Sequence, residues 1–314
     1  MKKHIQNIIS FGIVLTGVLA GTNKIIDIMA DKNENLPINN GKYFCWKYGN
    51  IYYTKSGKGK PLLLIHDLNV CSSSYEWNKV VKKLSERNTV YTIDLLGCGR
   101  SEKPNLTYTS FLYVQLVNDF IKKIIGSKTT VVATGYALSF VIMACQIENN
   151  NFNKIIGVSP CDIYNLTGTP DKKRNVLKYL LDSPIIGTFL YNMETNKKKV
   201  KNQISKDYFY RSTLVSGEEI NSYYKGTKTS HSKGKYLFAS IRSCYTNINI
   251  IPAIEKLNHS ICLIGGREQP FIHDIMDEYR AHNSAIEEAY ISNTKHLPQL
   301  EAPEKFTELL QILL

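Results

Sequence analysis

"TTVVATGYALSFVIMACQI" (129–147) has the outline of a buried strand that bends sharply into a helix, with a nucleophile carried at the bend. The pattern is that of G-x-S-x-G, except that Ala137 stands where the serine belongs and Ser139 where the last glycine belongs. Strand and helix backbones approach closely at such a turn, so the residues two before and two after the nucleophile must be small. Centred on Ala137 these are Gly135 and Ser139, which fit. Centred on Ser139 they are Ala137 and Val141, and centred on Thr134 they are Val132 and Tyr136; both frames place bulk where none fits. The expected frame is therefore Gly135-Tyr136-Ala137-Leu138-Ser139, with a methyl group at the nucleophile position.

Acyl transfer needs a nucleophile, a base, an acid to orient the base, and donors for the oxyanion. Alanine cannot form an acyl-enzyme, and binding plus oxyanion donors alone leave only about 10³–10⁴-fold catalysis. Ordinary serine hydrolysis would require Ser139 or Ser72 to reach a base. Other chemistry finds little support. "GCGRSEKP" (97–104) is glycine-rich, but it is not G-x-G-x-x-G and lacks a Lys-Ser/Thr ending, so no phosphate or dinucleotide loop is indicated. The seven cysteines contain no C-x-x-C pair, which indicates neither a zinc site nor a redox motif, and no metal or cofactor is expected.

The elements that must position this turn follow from apolar periodicity. Two aromatic-rich runs around Gly49-Asn50 predict a hairpin. "PLLLIHDL" (61–68), "NTVYTIDLLG" (88–97), "TTVVATG" (129–135) and "NKIIGVSP" (153–160) read as strands buried on both faces. Helical spacing over 74–86, over 110–125 and from Ala137 separates them. This alternation predicts an α/β fold with a doubly wound, mostly parallel sheet. From 161 to 251 the rhythm breaks into a basic, Tyr-rich, helical stretch, placed as a lid; alternation then resumes with strands at 259–266 and 286–293 and a closing helix. The expected division is 1–23 an apolar anchor or signal-like segment, 24–42 a linker, 43–160 and 252–314 the core, and 161–251 the cap.

Four stretches, "LLLIHDLN" (62–69), "DLLGCGRSEKP" (94–104), "VVATGYALS" (131–139) and "LIGGRE…NTKHLPQLEAPEKF" (263–306), together resemble the α/β-hydrolase superfamily over residues 43–314. The resemblance implies that His296 is the catalytic base and Glu268 its acid partner. It implies Leu68 N–H and Leu138 N–H as the oxyanion donors. Asp67 replaces the glycine that follows the family's histidine, here His66, and a carboxylate beside an oxyanion is electrostatically unfavourable.

Composition bounds the rest. The 314 residues suit one large α/β domain with an insertion. The net charge is +12, and between Asp171 and Arg242 fifteen Lys/Arg face six Asp/Glu, a surplus of nine. No nucleic-acid motif accompanies it, so nucleic acid is not an expected partner. The chain starts "MKKH" and then carries no formal charge from Ile5 to Asn23. A membrane anchor or interfacial helix, a cleaved signal and a helix docked on its own domain all fit this segment. The free-thiol pattern points to a reducing compartment.

Three functions fit these residues. One is a non-hydrolytic protein binding a small apolar or acyl-type molecule in a lidded pocket. Another is an enzyme using His296 and Glu268 for acid/base chemistry, and the third a membrane-surface module.

Overall fold

The computed structural model describes residues 16–26, 28 and 41–314; residues 1–15 of the expected anchor and most of the expected linker lie outside them. β1 (Lys42–Trp46) and β2 (Gly49–Ser56) form an antiparallel hairpin. Its turn is Lys47-Tyr48, with Trp46 paired to Gly49, so Gly49-Asn50 opens β2 instead of making the bend. Gly49 takes φ +144°, a value that suits glycine at this entry to the strand. β3 (Lys60–Ile65), β4 (Asn88–Ile93), β5 (Thr129–Thr134), β6 (Phe152–Val158), β7 (Ile261–Gly266) and β8 (Glu287–Ile291) complete an eight-stranded sheet of order β1-β2-β4-β3-β5-β6-β7-β8. β2 runs antiparallel to β4, and every pairing from β4 to β8 is parallel.

The two-residue period of the strands divides the core. Leu63, Ile65, Tyr91, Ile93 and Val131 pack on one face, while Leu62, Leu64, Val90, Val132 and Ile156 pack on the other. α3 (Ser110–Phe120), α4 (Ala137–Ile147), α10 (Ile251–Lys256) and α11 (Ile272–His282) cover the first face; α2 (Val81–Leu84) and α13 (Pro303–Leu313) cover the second. The single helix expected over 74–86 is a 3₁₀ turn, Ser74–Trp77, followed by α2. Its first turn is held elsewhere: Ser74 N–H donates to Asp94, and Glu76 is drawn inward to accept Asp67 N–H.

Between β6 and β7 the chain passes through α5 (Lys172–Asp182), α6 (Ile186–Glu194), α7 (Lys197–Asn202), α8 (Gly217–Lys228) and α9 (Lys235–Arg242). Val200, Ile204, Tyr208 and Tyr223 of this insertion pack on Cys71 beyond β3 and on Leu297 and Leu300 beyond β8. The insertion therefore covers the carboxyl ends of the parallel strands, where this class of sheet places its sites. Leu300 lies in α12 (Pro298–Glu301).

Residues 16–26 form a helix, α1, which lies against the insertion. Asn23, buried, donates to Ile185 O at 3.0 Å and meets Asn192 at 3.4 Å. Among the described residues no helix is long and apolar enough to cross a membrane. All seven cysteines are free thiols.

Candidate active site

The bend after β5 differs from its expected frame. β5 ends at Thr134, α4 starts at Ala137, and the residue with left-handed backbone is Gly135, at φ +54°. Ala137 is already in the first turn of α4 and fully buried. The apex is thus Gly135, flanked two residues away by Ala133 and Ala137, both small enough for the close approach of strand and helix. Glycine adopts this backbone without the steric penalty that a Cβ brings. The apex carries no side chain at all. The apex therefore lies two residues before the expected frame, with an absent side chain in place of the Ala137 methyl.

The space in front of Gly135 is filled. A Cβ placed on this glycine would lie 2.4 Å from Asp67 Oδ1 and 3.0 Å from Oδ2. Asp67 therefore sends its carboxylate into the position that an apex side chain would occupy. Tyr136 N–H, the first amide after the apex, donates to Oδ1 at 2.8 Å. His296 Nε2 lies 3.2 Å from Oδ2.

Each part of this arrangement is held from several directions. Asp67 N–H donates to Glu76 Oε2 at 3.0 Å, and Asp67 O accepts from Asn69 N–H at 3.0 Å. His66 Nε2 accepts from Leu95 N–H at 3.0 Å, which leaves Nδ1 as the protonated nitrogen that donates to Asp67 O at 2.6 Å. Burial lowers the His66 pKa, so the ring stays neutral in this structural role. Burial pushes the Glu76 carboxyl up to about 8, and the neighbouring Asp67 adds to the rise. The hydrogen bond from Asp67 N–H opposes it. At neutral pH Glu76 is mostly protonated, which relieves like-charge repulsion behind Asp67.

Residues 62–309 match the model of the alpha/beta hydrolase family. The chain belongs to this family. A soluble epoxide hydrolase from Corynebacterium sp. (strain C12) is 23% identical over 261 residues, covering 81% of this chain and 90% of its own. The 2-hydroxy-6-oxo-6-(2'-aminophenyl)hexa-2,4-dienoic acid hydrolase of Metapseudomonas resinovorans is 35% identical over 71 residues, 22% of this chain and 24% of that one. Among solved structures, the epoxide hydrolase CorEH without ligand aligns with a TM-score of 0.71 at 18% identity, covering 87% of this chain and 97% of that chain.

Within this member of the family, the other expected site residues are distributed unevenly. His296 stands at the site, in the loop between β8 and α12, with the Tyr208 ring 4.8 Å away. Glu268 does not pair with it: its Oε1 accepts from Asn293 N–H at 3.4 Å, and its own N–H is bound to Thr294 O. The carboxylate that meets His296 is Asp67. Leu138 N–H is engaged in the first turn of α4, with Gly135 O at 3.3 Å, so it is not the open oxyanion donor expected of it. Moving the apex to Gly135 gives that place to Tyr136 N–H. Leu68 N–H enters no hydrogen bond among the described residues. Ser139 Oγ is bound to Tyr136 O at 2.7 Å within the helix, and Ser72 lies beside Glu76. The glycine-rich run after β4 is structural: Asp94 accepts from Arg100 N–H and Ser74 N–H, both at 2.7 Å.

A cavity of about 450 Å³ opens under the insertion, beside the Asp67 loop. Asn69, Cys71 and Gln203 line it together with the basic side chains of Lys199, Lys206 and Arg242. Tyr208 stands between this cavity's wall and His296. Its hydroxyl accepts from Asn69 Nδ2 at 3.1 Å and Gln203 Nε2 at 3.0 Å, so its own hydrogen remains to be donated.

Sequence reasoning missed Gly135 as the apex, Asp67 as a functional group, and Glu76 and Tyr208 altogether. One signal was present: "ATGYA" places alanine two residues on either side of a glycine that directly ends a strand. That spacing favours Gly135 over Ala137.

Proposed function

We propose that the protein is a hydrolase that works without serine, with Asp67 as its nucleophile and His296 as its base. The observation that carries this reading is the Asp67 carboxylate lodged in front of the bare Gly135 apex, bound at once by an oxyanion-type amide and an imidazole. It departs from the expected His296–Glu268 pair in the carboxylate and in its role, since Asp67 attacks the substrate where Glu268 was expected only to orient the base.

A carboxylate nucleophile selects its substrates. Attack on an ester carbonyl would give an anhydride, which is uphill from the ester. Attack on an sp³ carbon of a strained ring gives an ordinary ester, which the site is arranged to hydrolyse. An epoxide is such a substrate, and the similarity to an epoxide hydrolase over most of both chains supports this class.

The steps balance as follows. Asp67 Oδ2 attacks a ring carbon and the ring C–O bond breaks. Tyr208 O–H gives its proton to the departing oxygen, an alkoxide far more basic than a phenolate. Water then attacks Cγ of the Asp67 ester, and His296 Nε2 accepts its proton. Negative charge develops on Oδ1, where Tyr136 N–H already lies at 2.8 Å. The tetrahedral carbon expels the alcohol oxygen, which takes the remaining hydroxyl proton and leaves a diol and a carboxylate. His296 returns its proton to the Tyr208 phenolate. The net reaction is epoxide plus water to diol.

His296→Gln blocks only the second half of this sequence. Incubated with a terminal epoxide such as styrene oxide, the wild type is expected to release diol without accumulating an adduct. The His296→Gln variant is expected to gain the epoxide's mass on the Asp67 peptide. Esterase turnover together with fluorophosphonate labelling at a serine would overturn the reading.

A second reading is a non-hydrolytic binding protein in which Asp67 closes the apex. The observation favouring it is burial: the Asp67 side chain is 8% exposed, and both its oxygens are already engaged by Tyr136 N–H and His296. An unreactive His296→Gln protein, combined with a small molecule retained through purification, would favour this reading over the first.

A further inference from the structure

We propose that one corner of the insertion, with α1 docked on it, is a docking surface for anionic phospholipid bilayers. α5 buries only Leu181; Val176, Tyr179 and Leu180 on its outer side stand exposed, Val176 at 70% and Tyr179 at 86%. The chain then turns tightly into α6, where Gly187 lies so close to Leu181 O that no Cβ fits between them. Ile186, exposed, follows at this corner. α1 meets the same corner through Asn23 and Ile185 O, and it turns Val18 and Ile25 to the outside.

Apolar side chains gathered around one corner carry a hydration cost in the isolated chain, and soluble monomers rarely keep such a patch without a partner. The charges around it specify the partner. Lys24, Lys172 and Lys173 are exposed at its margin. Asp182 is already paired with Lys178 at its inner edge. An apolar crest ringed by lysines matches a surface that is negative outside and apolar beneath, which is the profile of an anionic bilayer. Tyr179, with an apolar ring and a polar tip, suits the headgroup boundary. A second copy of this chain would bring lysine against lysine at the margin, so it is the poorer match.

The surface lies on the insertion that roofs the cavity, away from Asp67 and His296.

The test uses the full chain and sedimentation with vesicles. Vesicles of phosphatidylcholine containing about one third phosphatidylglycerol are compared with phosphatidylcholine alone, at low and high salt. Strong binding to the anionic vesicles is expected, weakened at least about tenfold by high salt. The double variant Val176→Glu/Tyr179→Glu should lose about tenfold or more of that binding while keeping its thermal midpoint, because both positions are exposed. Equal binding to both vesicle types, no binding to either, or binding unchanged in the double variant would each overturn the proposal. So would a dimer in sedimentation velocity that the double variant abolishes, since a second copy would then be the occupant.

Discussion

Asp67→Asn is expected to lower epoxide turnover by about 10³-fold or more, with substrate affinity nearly unchanged. The substitution is close to isosteric. An amide oxygen can still accept from Tyr136 N–H, and the amide nitrogen can face His296 Nε2, so the bend and the loop keep their contacts. What disappears is the charged oxygen able to attack carbon. A loss confined to kcat identifies a group that acts in the transition state. A loss confined to stability would identify Asp67 as a structural stopper. Steady-state diol formation beside a thermal melt separates the two.

The converse experiment moves the reactive atom back to the bend. The double variant Asp67→Gly/Gly135→Ser is expected to gain esterase activity on short aryl esters, about 10²-fold or more above either single variant. Removing the Asp67 carboxylate empties the space in front of position 135 and frees Tyr136 N–H to serve an oxyanion. A hydroxyl placed there would meet His296 Nε2, which now bonds the carboxylate. The left-handed backbone at position 135 costs a residue with a Cβ roughly 1–2 kcal/mol, which the surrounding fold must absorb. Gly135→Ser alone should be poorly stable, since its Cβ would press on Asp67 Oδ1. Ala137→Ser should give no esterase, because that position lies fully buried within α4. Hydrolysis by Ala137→Ser, with none by the double variant, would restore the frame expected from the sequence pattern.

The sheet was legible because strands buried on both faces show continuous apolar runs. "PLLLI", "TVYTI", "TVVA" and "IIGV" leave little choice of element type, and the helices between them leave little choice of topology. His296 was legible through the motif around it. Three features were not, each for its own physical reason. Gly49-Asn50 is a strong turn dipeptide, yet pairing of Trp46 with Gly49 set the bend two residues earlier. The helix expected over 74–86 has the right periodicity, but periodicity does not report that Ser74 N–H and the Glu76 carboxyl are claimed by Asp94 and Asp67. At the bend after β5 the size rule admitted Ala137, while a positive φ, which a sequence pattern does not display, settled on Gly135.

Asp67 was the hardest to read. Taken alone, a carboxylate in the loop after β3 is an electrostatic fault beside an oxyanion. Taken with Gly135 it is one half of a compensating pair, since the apex lacks a side chain where the loop supplies one. The two residues lie far apart in the chain, and only the pairing of β3 with β5 brings them together. Glu268 misled for the opposite reason: its local motif is good, but its carboxylate is spent on Asn293 N–H.

Turnover of an epoxide in ¹⁸O-labelled water, followed by mass spectrometry of the peptide containing Asp67, tests the nucleophile most directly. Water that attacks the Asp67 ester leaves its oxygen on the Asp67 carboxylate, so the peptide should gain ¹⁸O only when substrate turns over. The diol from the first turnover should carry an unlabelled oxygen taken from Asp67. Sustained diol formation with all the label in the product and none at Asp67 would contradict a carboxylate nucleophile in this site.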